Sequence, residues 1–183
     1  KYNTIALNNP GNVPGSSPRT TSTTITASYT NGVATIESPI GQGNGIYFPA
    51  EKTIQTYNCV ELKLSITTAG ETTWPSIKVA AHTNNWTGST NFLQIGLNAN
   101  GTAGATFNLN GFGRVINASN YTVATKAADI LPNQVYIIQY DLDAWKEATS
   151  YTSGNVYLAI ETYNSTLNLH GVTLRYSGNS VIY

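Results

Sequence analysis

Three tryptophans stand in polar, turn-prone surroundings: Trp74 in TTWPS, Trp86 in NNWTG and Trp145 in DAWKE. An aromatic ring set among hydroxyls and amides suits one kind of ligand well. Its flat, electron-rich face accepts the C–H groups of a pyranose, while neutral donors and acceptors around it read the sugar hydroxyls. Trp86 is the first candidate, because TNNWTGST offers it no apolar neighbour; Trp74, pinned by Pro75 at a strand entry, is second, and Trp145 completes the set. Tyr47, Tyr121 and Tyr151 occupy similar settings. Each tryptophan taken alone has a competing reading as a ring buried under a loop at the end of a sandwich. A further platform is offered by NVYLAIETY, where Val156, Leu158 and Ile160 alternate with Tyr157, Ala159, Glu161 and Tyr163. With side chains alternating across a strand, two tyrosines and a carboxylate share the face opposite the core.

Reaction chemistry has less support. Glycoside hydrolysis requires two carboxyls about 5–9 Å apart across a cleft, and Glu37, Glu61 and Glu161 lie on predicted strands without forming a paired-acid motif. Neither His82 nor His170 accompanies a Gly-x-Ser-x-Gly elbow, so acyl chemistry lacks its nucleophile. The same two histidines are far apart and without companion ligands, which argues against zinc. Asp141 and Asp143 supply hard oxygens that a structural calcium could use, and no other cofactor is indicated. The glycine clusters GQGNG, NGTAG and NGFG lack the lysine and following helix of a phosphate loop and read as turns. Cys59, the single cysteine, lies in an apolar run and reads as a core residue. No catalytic or metal-binding residue is assigned, and the chain is read as a non-enzyme.

The elements that must position these side chains are strands. β-branched residues and tyrosines dominate with a period of two, and helical periodicity is nearly absent. Strands are expected at 23–29, 33–38, 46–48, 57–67, 76–83, 91–98, 105–109, within 113–123, and at 134–142, 155–163, 166–176 and 180–183. Asn31-Gly32 joins the first two as a tight hairpin. Residues 141–150 could make one helical turn with Asp143 as N-cap, as a loop insertion. Leu167 and Leu169 are out of phase with Val172 and Leu174, so a bulge is expected at His170-Gly171, with Gly171 at positive φ. The pattern predicts an all-β, two-sheet antiparallel sandwich of jelly-roll type over 23–183. Residues 1–22, rich in Pro, Gly and Ser, are expected to be an irregular arm or linker.

Composition narrows the partner. Nine basic and nine acidic residues balance, so no field steers the chain toward nucleic acid or an anionic membrane. No run reaches the roughly 20 apolar residues of a membrane span. Asn, Thr and Ser supply 61 of the 183 residues, a surface that hydrogen-bonds through neutral groups and suits both a neutral polyol ligand and a secreted β-protein. Methionine is missing even at position 1, as expected of a module from a longer polypeptide.

The closing run GNVYLAIETYNSTLNLHGVTLRYSG and the opening ITASYTNGVATIES resemble the last strands and first hairpin of β-jelly-roll carbohydrate-binding modules. Where those modules often carry Asp-Asn, with the Asp helping to hold a structural calcium, this chain has His170-Gly171. The composition is also similar to that of small jelly-roll xylanases, whose catalytic strand signatures do not occur here. The resemblance implies a non-catalytic module that attaches a secreted enzyme to a neutral, plant cell-wall polysaccharide. An adhesion or receptor-binding domain of a phage or cell-surface fibre, and a small jelly-roll glycoside hydrolase, are the alternatives.

Overall fold

A computed structural model describes residues 2–5, 17–20, 26–30, 33–37, 43–49, 58–68, 76–82, 91–96, 107–154, 156–163 and 165–175. The strands are β1 (Tyr2–Ile5), β2 (Ser17–Thr20), β3 (Thr26–Thr30), β4 (Val33–Glu37), β5 (Gly43–Pro49), β6 (Cys59–Thr68), β7 (Ser76–His82), β8 (Phe92–Gly96), β9 (Phe107–Asn108), β10 (Gly113–Asn117), β11 (Val135–Asp141), β12 (Tyr157–Tyr163) and β13 (Ser165–Arg175). The helix α1 spans Leu142–Thr149.

All pairings are antiparallel. One sheet has seven strands, in the order β10-β11-β6-β13-β4-β3 with β1 on β13, and the other has six, in the order β2-β5-β12-β7-β8-β9. The chain changes sheet between β1 and β2, β2 and β3, β4 and β5, β5 and β6, β6 and β7, β9 and β10, β11 and β12, and β12 and β13, so the expected two-sheet sandwich is the fold observed. Alternation makes the core. In β6, Val60, Leu62, Leu64 and Ile66 are buried while Lys63 is exposed, as a strand with one wet face requires. The opposing sheet contributes Ile77, Val79, Leu93, Ile95, Leu158 and Ile160 to the same apolar cluster. Cys59 is buried, as expected.

The structure departs from the sequence reading at several points. Residues 1–22 are not wholly irregular: β1 pairs Tyr2–Ile5 with β13 and β2 pairs Ser17–Thr20 with β5. Both are edge additions, where proline is tolerated because one side of the strand makes no ladder bond. The β3–β4 hairpin closes Thr30 on Val33 around Asn31-Gly32 as predicted. The β13–β6 register slips between Leu169 and Gly171, so the bulge is present, with His170 as the extra residue. Gly171 does not take positive φ. His170 takes up the phase change, and its Nε2 lies 3.1 Å from Ser65 Oγ. The helical segment is two turns rather than one, and its cap is Asp141, whose Oδ1 accepts from Ala144 N at 2.9 Å; Asp143 instead sits inside the first turn.

Candidate functional site

The six-stranded sheet carries the more coherent surface. In β7, Ile77, Val79 and Ala81 are buried, as are Leu93 and Ile95 in β8 and Leu158 and Ile160 in β12. The intervening positions therefore belong to the outer face. Register then builds a line that no local segment contains. Arg19 pairs with Gly45, Gly45 with Glu161, Glu161 with Lys78, Lys78 with Gln94 and Gln94 with Asn108. This row crosses all six strands. At the usual inter-strand spacing its five steps span about 24 Å.

Aromatic positions flank the row. One step along the strands lie Ser17, Tyr47, Ala159, Ala80 and Phe92, again in register. Tyr163 falls one step to the other side, paired with Gly43 and Ser76, and Tyr157 two steps away, paired with Pro49 and His82. Lys78 Nζ lies 4.1 Å from the Phe92 ring centroid, a cation–π contact that holds a polar group of the row against an apolar one. Ala80 is fully buried despite its outward register position, so neighbouring groups close over it. Lys78, Gln94 and Phe92 beside it retain partial exposure, and Asn108 is exposed.

The residues singled out from sequence separate into three groups. Tyr157, Glu161 and Tyr163 are brought together at the centre of this sheet, on β12. Trp74 and Trp86 lie outside the described residues. Trp145 does not stand in a loop: it is on α1 with 1% of its surface exposed, and its ring packs against that of Tyr151 at a 46° tilt, centroids 5.2 Å apart. Helix α1 has a polar outer side with Leu142 and Trp145 turned to the core, so the polar neighbours that suggested exposure are its solvent face. Tyr47 is a strand residue rather than a loop one. Asp141 is spent as the α1 cap, its acidity lowered by burial, and Asp143 pairs with Lys146 at 3.6 Å.

Lys78, Gln94, Asn108 and Arg19 were not identifiable beforehand, because they come from four strands and join only through register. Tyr121 was noted among the loop aromatics. It is the most exposed large apolar side chain among the described residues, at 76%.

The carboxylates are dispersed. Glu61 is on β6 of the seven-stranded sheet, where it accepts from Gln139 Nε2 at 3.0 Å and pairs with Arg175. Glu37 is on β4 of that same sheet, whereas Glu161 is on β12 of the other. Glu161 and Glu61 thus stand on strands of different sheets.

No protein-family model matches the chain, and no curated protein matches it. Among solved structures it is similar in outline to the Emp47p carbohydrate recognition domain, at 11% identity and a TM-score of 0.47, with 95% of this chain and 96% of that one covered. That similarity extends to the general outline of the fold and no further.

Proposed function

We propose that the protein is a non-catalytic module that binds a neutral polysaccharide along the outer face of its six-stranded sheet. The observation that carries this reading is the polar row Arg19, Gly45, Glu161, Lys78, Gln94, Asn108, laid across six strands with aromatic positions on both sides. A linear glycan is a repeat of apolar ring faces rimmed by hydroxyls. A surface that alternates hydrogen-bonding and aromatic positions over about 24 Å matches several linked rings. Glycines at 43 and 45 keep the floor low beside β12, so a chain can approach the sheet closely. The balanced charge of the whole protein favours a neutral ligand over an anionic one. The dispersed carboxylates support binding without hydrolysis, since a paired acid and base across a cleft is what cleavage needs. We place the module in a secreted polypeptide that acts on plant cell-wall polysaccharide.

Affinity electrophoresis against soluble β-glucans, xylans, mannans and pectins tests the reading. Retardation by at least one neutral polysaccharide is expected, with loss of retardation and unchanged melting in Gln94→Ala and in Glu161→Gln. Binding that survives both substitutions, or release of reducing sugar from the bound polysaccharide, overturns it.

A further inference from the structure

Three exposed large apolar side chains are present among the described residues, Tyr121, Val123 and Leu131, at 76%, 46% and 52% exposure. Two of them meet at one cavity. Val123 and Leu131 line a cavity of about 360 Å³ together with Asn117, Thr122, Ala124, Ala128, Asp129 and Tyr136, and Tyr121 is the chain neighbour of the lining residue Thr122. The cavity sits beside β10, an edge of the seven-stranded sheet, so it is separate from the polar row.

The turn that presents Tyr121 is held from both sides. Asn117 N donates to Thr122 O at 2.8 Å and Tyr121 N to Asn117 O at 2.9 Å. Asn117 Oδ1 accepts from Ser119 N and Asn120 Oδ1 from Thr122 N, two successive side-chain turns. Within this clamp Tyr121 has φ 59°, a left-handed conformation that is uncommon for a bulky non-glycine residue. The fold thus holds a tyrosine, strained and in solvent, where glycine would fit without strain. An outlier of this kind is held by the hydrogen bonds around it and motivates a search for a role.

The cavity wall supplies polar groups of both kinds. Asp129 Oδ2 accepts from Thr125 N at 2.9 Å and Lys126 N at 3.2 Å, and these bonds hold the carboxyl ionised, below the usual carboxylate range. Its Oδ1 makes no hydrogen bond among the described residues, and neither does Asn117 Nδ2. Tyr136 Oη is committed, accepting from Leu131 N and donating to Asp129 O. One acceptor and one donor are therefore left on residues that line the cavity, beside Val123 and Leu131.

We infer that this cavity is a second ligand site, which takes one neutral pyranose ring, packed on Tyr121 and on Val123 and Leu131, with adjacent hydroxyls bonded to Asp129 Oδ1 and Asn117 Nδ2. A sugar hydroxyl both donates and accepts, so two neighbouring hydroxyls satisfy a carboxylate oxygen and an amide N–H together. A purely apolar occupant would leave both groups desolvated and unpaired, and an anion would meet the Asp129 carboxylate. The volume lies at the small end of ligand pockets and suits a single ring rather than a chain. Such a site would read a chain end or a branch sugar while the sheet face holds the chain.

A titration followed by amide NMR tests this, with glucose, mannose, galactose, xylose and N-acetylglucosamine as separate probes at tens of millimolar. For at least one of them, shifts are expected at Tyr121–Ala124 and Ala128–Leu131. Tyr121→Gly, which accepts φ 59° without strain, should melt no lower than the parent yet weaken that sugar about tenfold. Asp129→Asn keeps an oxygen for the Thr125–Lys126 turn but replaces the free acceptor with a donor, and should weaken it similarly; Tyr121→Phe should bind as the parent does. None of these changes touches the polar row, so polysaccharide retardation through the sheet is expected to persist in all of them. Absence of shifts at this turn with every sugar overturns the site. So does Tyr121→Gly binding at parental strength, or a loss of binding in Tyr121→Gly that accompanies a lower melting temperature.

Discussion

Replacing Trp145 by Ala separates a structural aromatic from a ligand-binding one. The ring is almost wholly buried and is the largest fully buried side chain among the described residues. It packs at a tilt against Tyr151, whose hydroxyl donates to Gly154 O and so ties down the segment after α1. The helix is tethered at its start as well, by Leu142 N donating to Asn58 O at 3.0 Å. Removing the indole leaves a cavity between α1 and the sheet, and large-to-small changes of this kind cost roughly 3–5 kcal/mol. For a domain of 150–250 residues each kcal/mol moves Tm by about 2–4 °C, so a fall of about 6–20 °C is expected. Trp145→Phe fills part of the cavity and should fall by clearly less. Thermal melting by circular dichroism reads both, and affinity electrophoresis on the folded fraction at low temperature reads binding. Binding should be near parental in both variants, since Trp145 presents no surface to a ligand. A Trp145→Ala protein that melts with the parent and has lost polysaccharide binding would refute the placement of α1 against the core.

Two glycines give an opposed pair. At Gly113, φ is 148° and an added Cβ would overlap Gln139 O in the neighbouring strand, so Gly113→Ala should destabilise by at least about 1–3 kcal/mol. Gly171 has ordinary φ and nothing near its absent Cβ; Gly171→Ala should be neutral or stabilise by about 0.4–1 kcal/mol, measured by urea denaturation. His170 supplies a pH signature. Burial and then the nearby Lys63 charge hold its pKa below the ordinary imidazole value of 6.5, so the folded state binds fewer protons than the unfolded state. Its contribution is present above that value and lost as pH falls through His170's own lower one. Tm should therefore drop on acidification below about pH 6.5, and His170→Gln should flatten that part of the profile; an unchanged profile in the variant places the titration elsewhere.

The sheets themselves were largely legible in the sequence. Period-two alternation in CVELKLSIT and NVYLAIETY places the same residues inward that are buried in β6 and β12, because a one-residue slip would expose the whole apolar set. The out-of-phase leucines announced the bulge for the same reason. Its detail was not legible: sequence favours glycine for unusual backbone, yet His170 is the inserted residue, since a classic bulge can be formed without positive φ. Trp145 misled because polar neighbours mean exposure in a strand or loop but only a wet outer face in a helix. Eight residues with one N-cap are too few for periodicity to decide between the two.

The candidate sites were legible to different degrees, and for opposite reasons. The turn at 117–122 is local: NASNYT carries two Asn-x-Ser/Thr triplets, which are uninformative as modification signals in so Asn-rich a chain but are also the pattern of consecutive Asx turns, as Asn117 and Asn120 form here. A tyrosine between two such turns is a local sign of a presented ring. The polar row is wholly non-local. Arg19, Glu161, Lys78, Gln94 and Asn108 meet because β12, from late in the chain, inserts between β5 and β7. Each of its members, read alone, is an ordinary outward residue of a half-wet strand. Only the register, fixed by the inward Leu158, Ile160 and Val79, sets them in line. A change that slips β12 by one residue against β7 should therefore abolish the row before it unfolds the sandwich, which makes the inward residues of β12 as much a part of the proposed binding surface as Glu161 itself.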